Sequence, residues 1–524
     1  MKKWDLTKLL CAICISIYSL NAEAQLTFTG QYRTRSEFRA GQGTLPTEGS
    51  QPAFFTNHRL RIGIGYTMDR LKFYAAFQDV RVWGQDGSTI SNADGKNLML
   101  HEAWGEIIFS DSTWSKVADN FSLKIGRQEI IYDDSRLLGN LDWLPQARRH
   151  DAAILKWNKR FWFADLGVAY NANAEKKSMD YYDGTTTNPN YTGAATGSNG
   201  LSPNYKSFQY LYVRRNLGWG NLSYLVFKDD FAKGPTQTSV NSRITHGFNL
   251  SGKAIRKIDF NAFAYYQGNK DNFGNTLDAY TYGANLMALA TRKLSVGTGF
   301  ELLSGNNTTK SRYATTGNTT NAAFDPLYGT PHKFRGYMDY FYAADGYAAY
   351  NTSGAGSTGL GNSSSTILSP GLVDAFLKFR FKLIEKVNLS LDVHEFWAQN
   401  KVADRSAPAI DSTAELNKRL GTELDFLINW NLTPAIGIEA GYSLMLGTST
   451  LQALKHSGAT GDASQANSNA VQQRPNGQWA YVMINIRPDL MADLNIFKRD
   501  YTRKLDEMSK RLDELSNKEG IKTY

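Results

Sequence analysis

Cysteine is nearly absent from the chain: the only two, Cys11 and Cys14, fall within the first 24 of its 524 residues. Those residues read as an export signal. Lys2, Lys3 and Lys8 precede an apolar stretch from Leu9 to Leu20, and Ala22-Glu23-Ala24 forms a cleavage site ahead of Gln25. The expected mature chain therefore has no thiol, which excludes disulfides, Cys-ligated zinc, iron–sulfur clusters and thiol catalysis. Long apolar runs are missing as well. No stretch of about 18 apolar residues occurs beyond the signal, so a bundle of membrane-spanning helices is excluded. Charged residues make up only 20% of the chain, yet aromatics reach 13%, too many for intrinsic disorder. Catalytic spacing is absent too. The 7 histidines form no H-E-x-x-H, and no G-x-S-x-G elbow occurs, so neither an enzyme nor a metal or other cofactor is expected. Asp133, Asp134 and His150 read as polar loop groups.

What is present is alternation with period two, from Leu26 to Arg487. Leu26, Phe28, Tyr32 and Thr34 share one face while Gln31, Arg33 and Arg35 share the other. Leu60, Ile62 and Ile64 oppose Arg59 and Arg61, and Leu377, Phe379 and Phe381 oppose Lys378, Arg380 and Lys382. A soluble sandwich alternates in the same way, but with its apolar face turned inward. Strand number and loop rhythm separate the two. Segments long enough to cross a bilayer begin near Leu26, Asn57, Leu71, Met99, Phe121, Ala147, Phe161, Phe208, Trp219, Ser242, Lys257, Leu277, Lys293, Leu372, Lys386, Arg419, Ala435 and Gly477. Short turns alternate with long Gly/Ser/Asn/Thr-rich connections, and Trp83, Trp104, Trp157, Trp162, Trp219, Trp397 and Trp430 sit near strand ends as an interfacial girdle. The fold expected is all-β: a transmembrane antiparallel barrel of about eighteen strands over residues 25–488, in a Gram-negative outer membrane, its outside against lipid and lipopolysaccharide.

Residues 489–524 differ. Leu494, Tyr501, Met508 and Leu515 recur every seven positions with Leu505 and Leu512 between them, a short helical seam in a charged segment. It suits a solvated periplasmic tail helix, self-association or docking to a periplasmic partner.

Charges on the inner face are costly unless water fills the lumen, so their number argues for an aqueous channel. Bases outnumber acids there. Arg33, Arg35, Arg59 and Arg61 form a ladder on the first hairpin, with Arg214, Arg243, Lys253, Lys293, Lys378, Arg380, Lys382, Arg419 and Arg487 further round. Acids collect at Asp392, Glu423, Asp425 and Glu439. Arginine's planar fork grips carboxylates bidentately and stays charged, so such a column offers a polyanion successive weak sites. The net charge of +9 is explained by this lining, without nucleic-acid binding.

Alternation breaks at Gly126-Arg127-Gln128-Glu129, Asp133, Arg136-Leu137-Leu138-Gly139, Asp142-Trp143 and Arg148-Arg149-His150-Asp151. Together with Gln78-Asp79-Val80-Arg81-Val82-Trp83, this stretch resembles the alginate-export family of outer-membrane proteins. The resemblance implies a monomeric eighteen-stranded barrel whose arginine-rich lumen passes an acidic polysaccharide by diffusion, with Arg127, Arg136, Arg148 and Arg149 in the constriction. The tail helix and the long connection from Ser304 to Pro370 depart from that pattern. A porin for small anionic solutes and a closed, carbohydrate-binding barrel are the alternatives.

Overall fold

The computed structural model describes residues 25–491, apart from 47, 85–97, 110–119, 173–204, 233–238, 256, 272–273, 308, 310–319, 342–368, 405–413 and 456–473, and five residues of the tail. Its strands run in chain order as β1 (Gln25–Ala40), β2 (Ala53–Met68), β3 (Leu71–Val82), β4 (Leu98–Ile108), β5 (Asn120–Gln128), β6 (His150–Lys159), β7 (Trp162–Tyr170), β8 (Ser207–Asn216) and β9 (Gly220–Ala232). They continue as β10 (Val240–Ile255), β11 (Ile258–Lys270), β12 (Thr276–Leu289), β13 (Leu294–Leu303), β14 (Leu372–Ile384), β15 (Val387–Trp397), β16 (Arg419–Thr433), β17 (Ile436–Gly447) and β18 (Gly477–Ile486). All are antiparallel to their sequence neighbours, and β1 pairs with β18, Arg33 opposite Asn485, which closes the barrel and leaves no sheet edge. Every segment marked by the alternation is a strand. The largest displacement is at β2, read from Asn57 and found from Ala53.

Burial follows the pleat. Leu60, Ile62, Phe73, Phe77, Phe248, Leu286, Phe300 and Leu377 point outward and are exposed. Apolar area left in water forgoes about 25 cal/mol per Å². Against lipid the same residues are at home, and the closed ladder satisfies the backbone. Trp83, Trp162, Trp219 and Trp430 are exposed on the outside, as a girdle requires. Trp104 is a correction: it pairs across the sheet with Tyr74, faces the lumen, and carries Lys124 Nζ 3.9 Å above its ring.

Two connections turn inward. The first, residues 129–149 between β5 and β6 (loop one), touches β1 and β2 through Asp142 and β8 and β9 through Asp133, so it crosses the lumen. The second, residues 320–341 between β13 and β14 (loop two), meets β10 through Asp325 and β16 through Met338. Leu138, Tyr212, Phe227, Phe324, Tyr340, Phe341, Phe396 and Trp479 are buried together around them. Alternation implied a lumen filled with water; at the height of the loops, the described residues build an aromatic core instead. A short helix, α1 (Ser449–Lys455), caps the β16–β17 end: Thr448 Oγ1 accepts the Leu451 N–H, and Leu451 and Leu454 are buried. In the tail only Lys504, Glu507, Met508, Lys510 and Arg511 are described, and they are helical. The remainder of the heptad seam and the signal segment lie outside the described residues.

Candidate functional site: an arginine wall and two inward loops

Inward positions on β1 and β2 are odd-numbered, and the register sets Arg33 opposite Arg59 and Gln31 opposite Arg61. Adjacent guanidiniums repel one another, so this patch requires acceptors. Loop one supplies them. Asp142 Oδ1 lies 2.7 Å from Arg59 Nη1 and 4.0 Å from Arg61 Nη1, while its Oδ2 is 3.3 Å from Arg33 Nη1. The main chain adds more: Arg33 donates to Asp142 O at 2.8 Å, Arg35 to Trp143 O at 2.9 Å and Arg59 to Pro145 O at 3.4 Å. The Arg35 guanidinium also lies 4.0 Å above the Trp143 ring. Arg35 and Arg39 share Glu37, and Arg61 divides its donors between Gln78 at 2.6 Å and Glu129 at 3.5 Å. Burial works to raise the Asp142 carboxyl, but Arg59 and Arg33 more than reverse it and hold its pKa below the usual carboxylate value. Asp133 behaves oppositely. Its burial outweighs the hydrogen bonds from Tyr212 and Ser223 and raises its pKa.

Loop one is strained. Asp133, Ser135, Leu141 and Ala147 all have positive φ, between 50° and 73°. Such conformations cost on the order of 1 kcal/mol each and persist only where surroundings impose them. Here the arginine wall holds one side and loop two the other. Gly139 N donates to Tyr328 O at 3.0 Å, Thr330 N to Ser135 O at 2.8 Å, and Arg148 Nη1 to Gly329 O at 2.5 Å. The backbones run so close that a Cβ at Gly329 would sit 1.9 Å from Arg136 O. Arg136 lies between the Phe263 and Phe334 rings, at 3.8 and 4.0 Å, with Nη1 2.7 Å from Glu301. His332 stacks on Trp143 at 4.1 Å, completing a column from Arg35 through loop one to loop two.

Further round the wall, on β16, which β17 and β18 separate from β1, the logic of charge is reversed. Glu423 Oε1 accepts the Met338 N–H at 2.7 Å and Asp425 Oδ2 the Tyr337 N–H at 3.3 Å, while Arg335 reaches Glu301 at 3.2 Å. Lys378 Nζ is 3.0 Å from Asp392, and Arg380 grips the same carboxylate with both terminal nitrogens. Lys382 pairs with Glu385 at the short turn, 2.9 Å away.

Thus the structure brings Arg33, Arg35, Arg59, Arg61, Arg136 and Arg148 into one assembly and places Lys378, Arg380 and Lys382 apart from it on β14. Arg127 does not belong with them. It faces outward and pairs with Asp151 at 2.8 and 2.9 Å, because parity on β5 puts it on the same face as Leu123 and Ile125. Arg149, the last residue of loop one, reaches Met99 Sδ on β4 at 3.5 Å. Arg419 is also outside, 2.6 Å from Glu395, where a register shift at Gly421 turns the strand. Sequence reasoning missed Gln78, Tyr328, His332 and Arg335, which carry no local signal of their partnership. His101, Glu102 and Glu129 place ligand atoms within 4.8 Å of one another, but Glu129 already serves His101, Asn140 and Arg61, and that guanidinium disfavours a cation.

The chain is similar in fold to several outer-membrane proteins of known structure. OccAB4 of Acinetobacter baumannii matches at 9% identity and a TM-score of 0.50, covering 88% of this chain and 98% of that one. OprD of Pseudomonas aeruginosa matches at 9% identity and 0.48, covering 89% and 96%. OpdK of the same organism, solved with vanillate, matches at 8% and 0.47, covering 88% and 98%. Among curated proteins none matches. The alginate export family model matches residues 24–458, and the chain belongs to the alginate-export family of outer-membrane β-barrel channels.

Proposed function

We propose that the barrel is a passive, anion-favouring channel for an acidic polysaccharide such as alginate, or for small carboxylated solutes. The observation that carries this reading is the surplus of charge on the first hairpin. Five guanidiniums, on Arg33, Arg35, Arg39, Arg59 and Arg61, meet three carboxylates, on Glu37, Glu129 and Asp142, an excess of 5 − 3 = +2. A carboxylate entering beside this wall meets Arg39 and Arg61, the two guanidiniums that keep some exposure, while Arg33, Arg35 and Arg59 act through their charge from behind loop one. Several shared sites, each individually weak, let a chain advance without being trapped. The apolar outer band takes lipid, and the rim takes lipopolysaccharide headgroups. The tail past residue 488 serves a periplasmic partner or a second copy. Reversal potential in a planar bilayer under a salt gradient tests the channel reading. Anion preference with current blocked by oligouronates and not by neutral oligosaccharides is the expected result; cation preference, or equal block by both sugars, contradicts it.

A further inference from the structure

Below the joined loops, on the wall opposite the arginine ladder, lies a cavity of about 240 Å³. Its origin is legible in the residues. Gly297 and Gly299 occupy successive lumen-facing positions of β13, where neighbouring strands put Met287, Asn285 and Phe376. A Cβ at Gly299 would lie 2.6 Å from Asn285 Cβ and 2.7 Å from Phe376 Cζ, so glycine there lets these two side chains close over β13 and line the cavity. The volume falls below the range of about 300–1,000 Å³ for drug-sized ligands and suits one sugar ring.

The lining is chemically mixed in a particular way. Lys333 Nζ reaches only the Asp134 carbonyl oxygen, at 3.4 Å, and meets no carboxylate among the described residues. Asn261 donates to Asn249 at 3.1 Å, yet its own Oδ1 is buried without a hydrogen-bond partner among the described residues, and Asn285 lies across the strand from it. A buried amide oxygen lacking a donor is destabilising, and a ligand hydroxyl would relieve it. Phe376 offers a ring, with Lys378 Nζ 4.9 Å from its centroid. Lys333, two amides and an aromatic face together complement a pyranose that carries one carboxylate, and the two acids of the lining, Asp134 and Glu301, are both held by Arg136.

We infer that this cavity is a binding subsite for a single hexuronate residue, its carboxylate on Lys333, its hydroxyls on Asn261 and Asn285, and its ring against Phe376. The inference rests on the acidic-sugar reading above, and adds a holding site distinct from the arginine wall.

The test is calorimetric titration of the full-length, detergent-solubilised protein with D-glucuronate and with glucose, alongside reversal potentials. Unmodified protein should bind glucuronate and not glucose. K333Q and N285L should each weaken glucuronate about tenfold while anion preference and the heat-modifiable gel shift of the folded barrel stay unchanged. G299L, whose side chain would displace Asn285 and Phe376 from the cavity, should abolish binding; should that variant misfold, K333Q and N285L decide alone. Glucuronate binding unaffected by K333Q and N285L, or equal binding of glucose, overturns the subsite even if the channel proves anion-selective. Conversely, binding that follows K333Q and N285L in a channel without anion preference upholds the subsite and removes the filter reading.

Discussion

The two walls that hold the inward loops solve the same problem with opposite charges. On β1 and β2, guanidiniums donate to a carboxylate and three carbonyls of loop one. On β16, carboxylates accept backbone N–H groups of loop two. The first arrangement leaves positive charge in surplus, since carbonyl oxygens satisfy donors without neutralising them. The second leaves buried carboxylates, with Glu423 Oε2 lacking any hydrogen-bond partner. One wall thus anchors a loop while keeping a surplus of positive charge, whereas the other anchors with buried carboxylates.

That contrast can be broken from either side. Replacing Arg33, Arg35, Arg59 and Arg61 together by Gln removes four charges and the guanidinium donors that hold loop one. Single-channel conductance should rise several-fold and the reversal potential should move toward zero, while strand content by circular dichroism stays constant. An unchanged reversal potential would show that the ladder is not the filter. G336A acts on the other wall: the position has φ +74° and a Cβ there would sit 2.4 Å from Glu423 Oε1. The expected cost is about 1–2 kcal/mol in thermal stability, with a modest rise in conductance and no change in selectivity. A selectivity change in G336A would mean that the acidic wall also filters. The smallest effect belongs to R127Q. Its target lies on the outer face, so conductance and ion preference should equal those of the unmodified channel, and any shift in either would return Arg127 to the lumen.

Much of this architecture was legible in the sequence. All eighteen strands, the closure and the inward parity of Arg33, Arg35, Arg59 and Arg61 follow from a period of two, because a one-residue slip would turn every apolar residue from lipid to lumen. Arg127 shows where the reading erred: parity from Leu123 and Ile125 already placed it outside, and its motif neighbours suggested the lumen instead. Arg419 could not be placed by counting, since the register shift near Gly421 is invisible to alternation. The loops were the least legible part. Contacts such as Arg148 to Gly329 and Trp143 to His332 join residues some 180 positions apart, and nothing local announces them.

Asp142 is the single group on which the arginine clasp converges, so its substitution tests the account most directly. Its folded pKa is depressed, so the stabilisation it provides is fully present above the ordinary aspartate value of about 3.9 and is lost as pH falls through the lower folded value. Breaking the clasp leaves Arg33 and Arg59 buried without their carboxylate, a loss of about 2 kcal/mol once the partial exposure of Asp142 is allowed for. Single-channel conductance of the unmodified protein and of D142N, measured from pH 7 to pH 3, is therefore decisive. The account predicts a steady conductance that rises only below about pH 4 in the unmodified channel, and a raised conductance without that acid step in D142N. Identical conductance and identical acid response in the two proteins would contradict it.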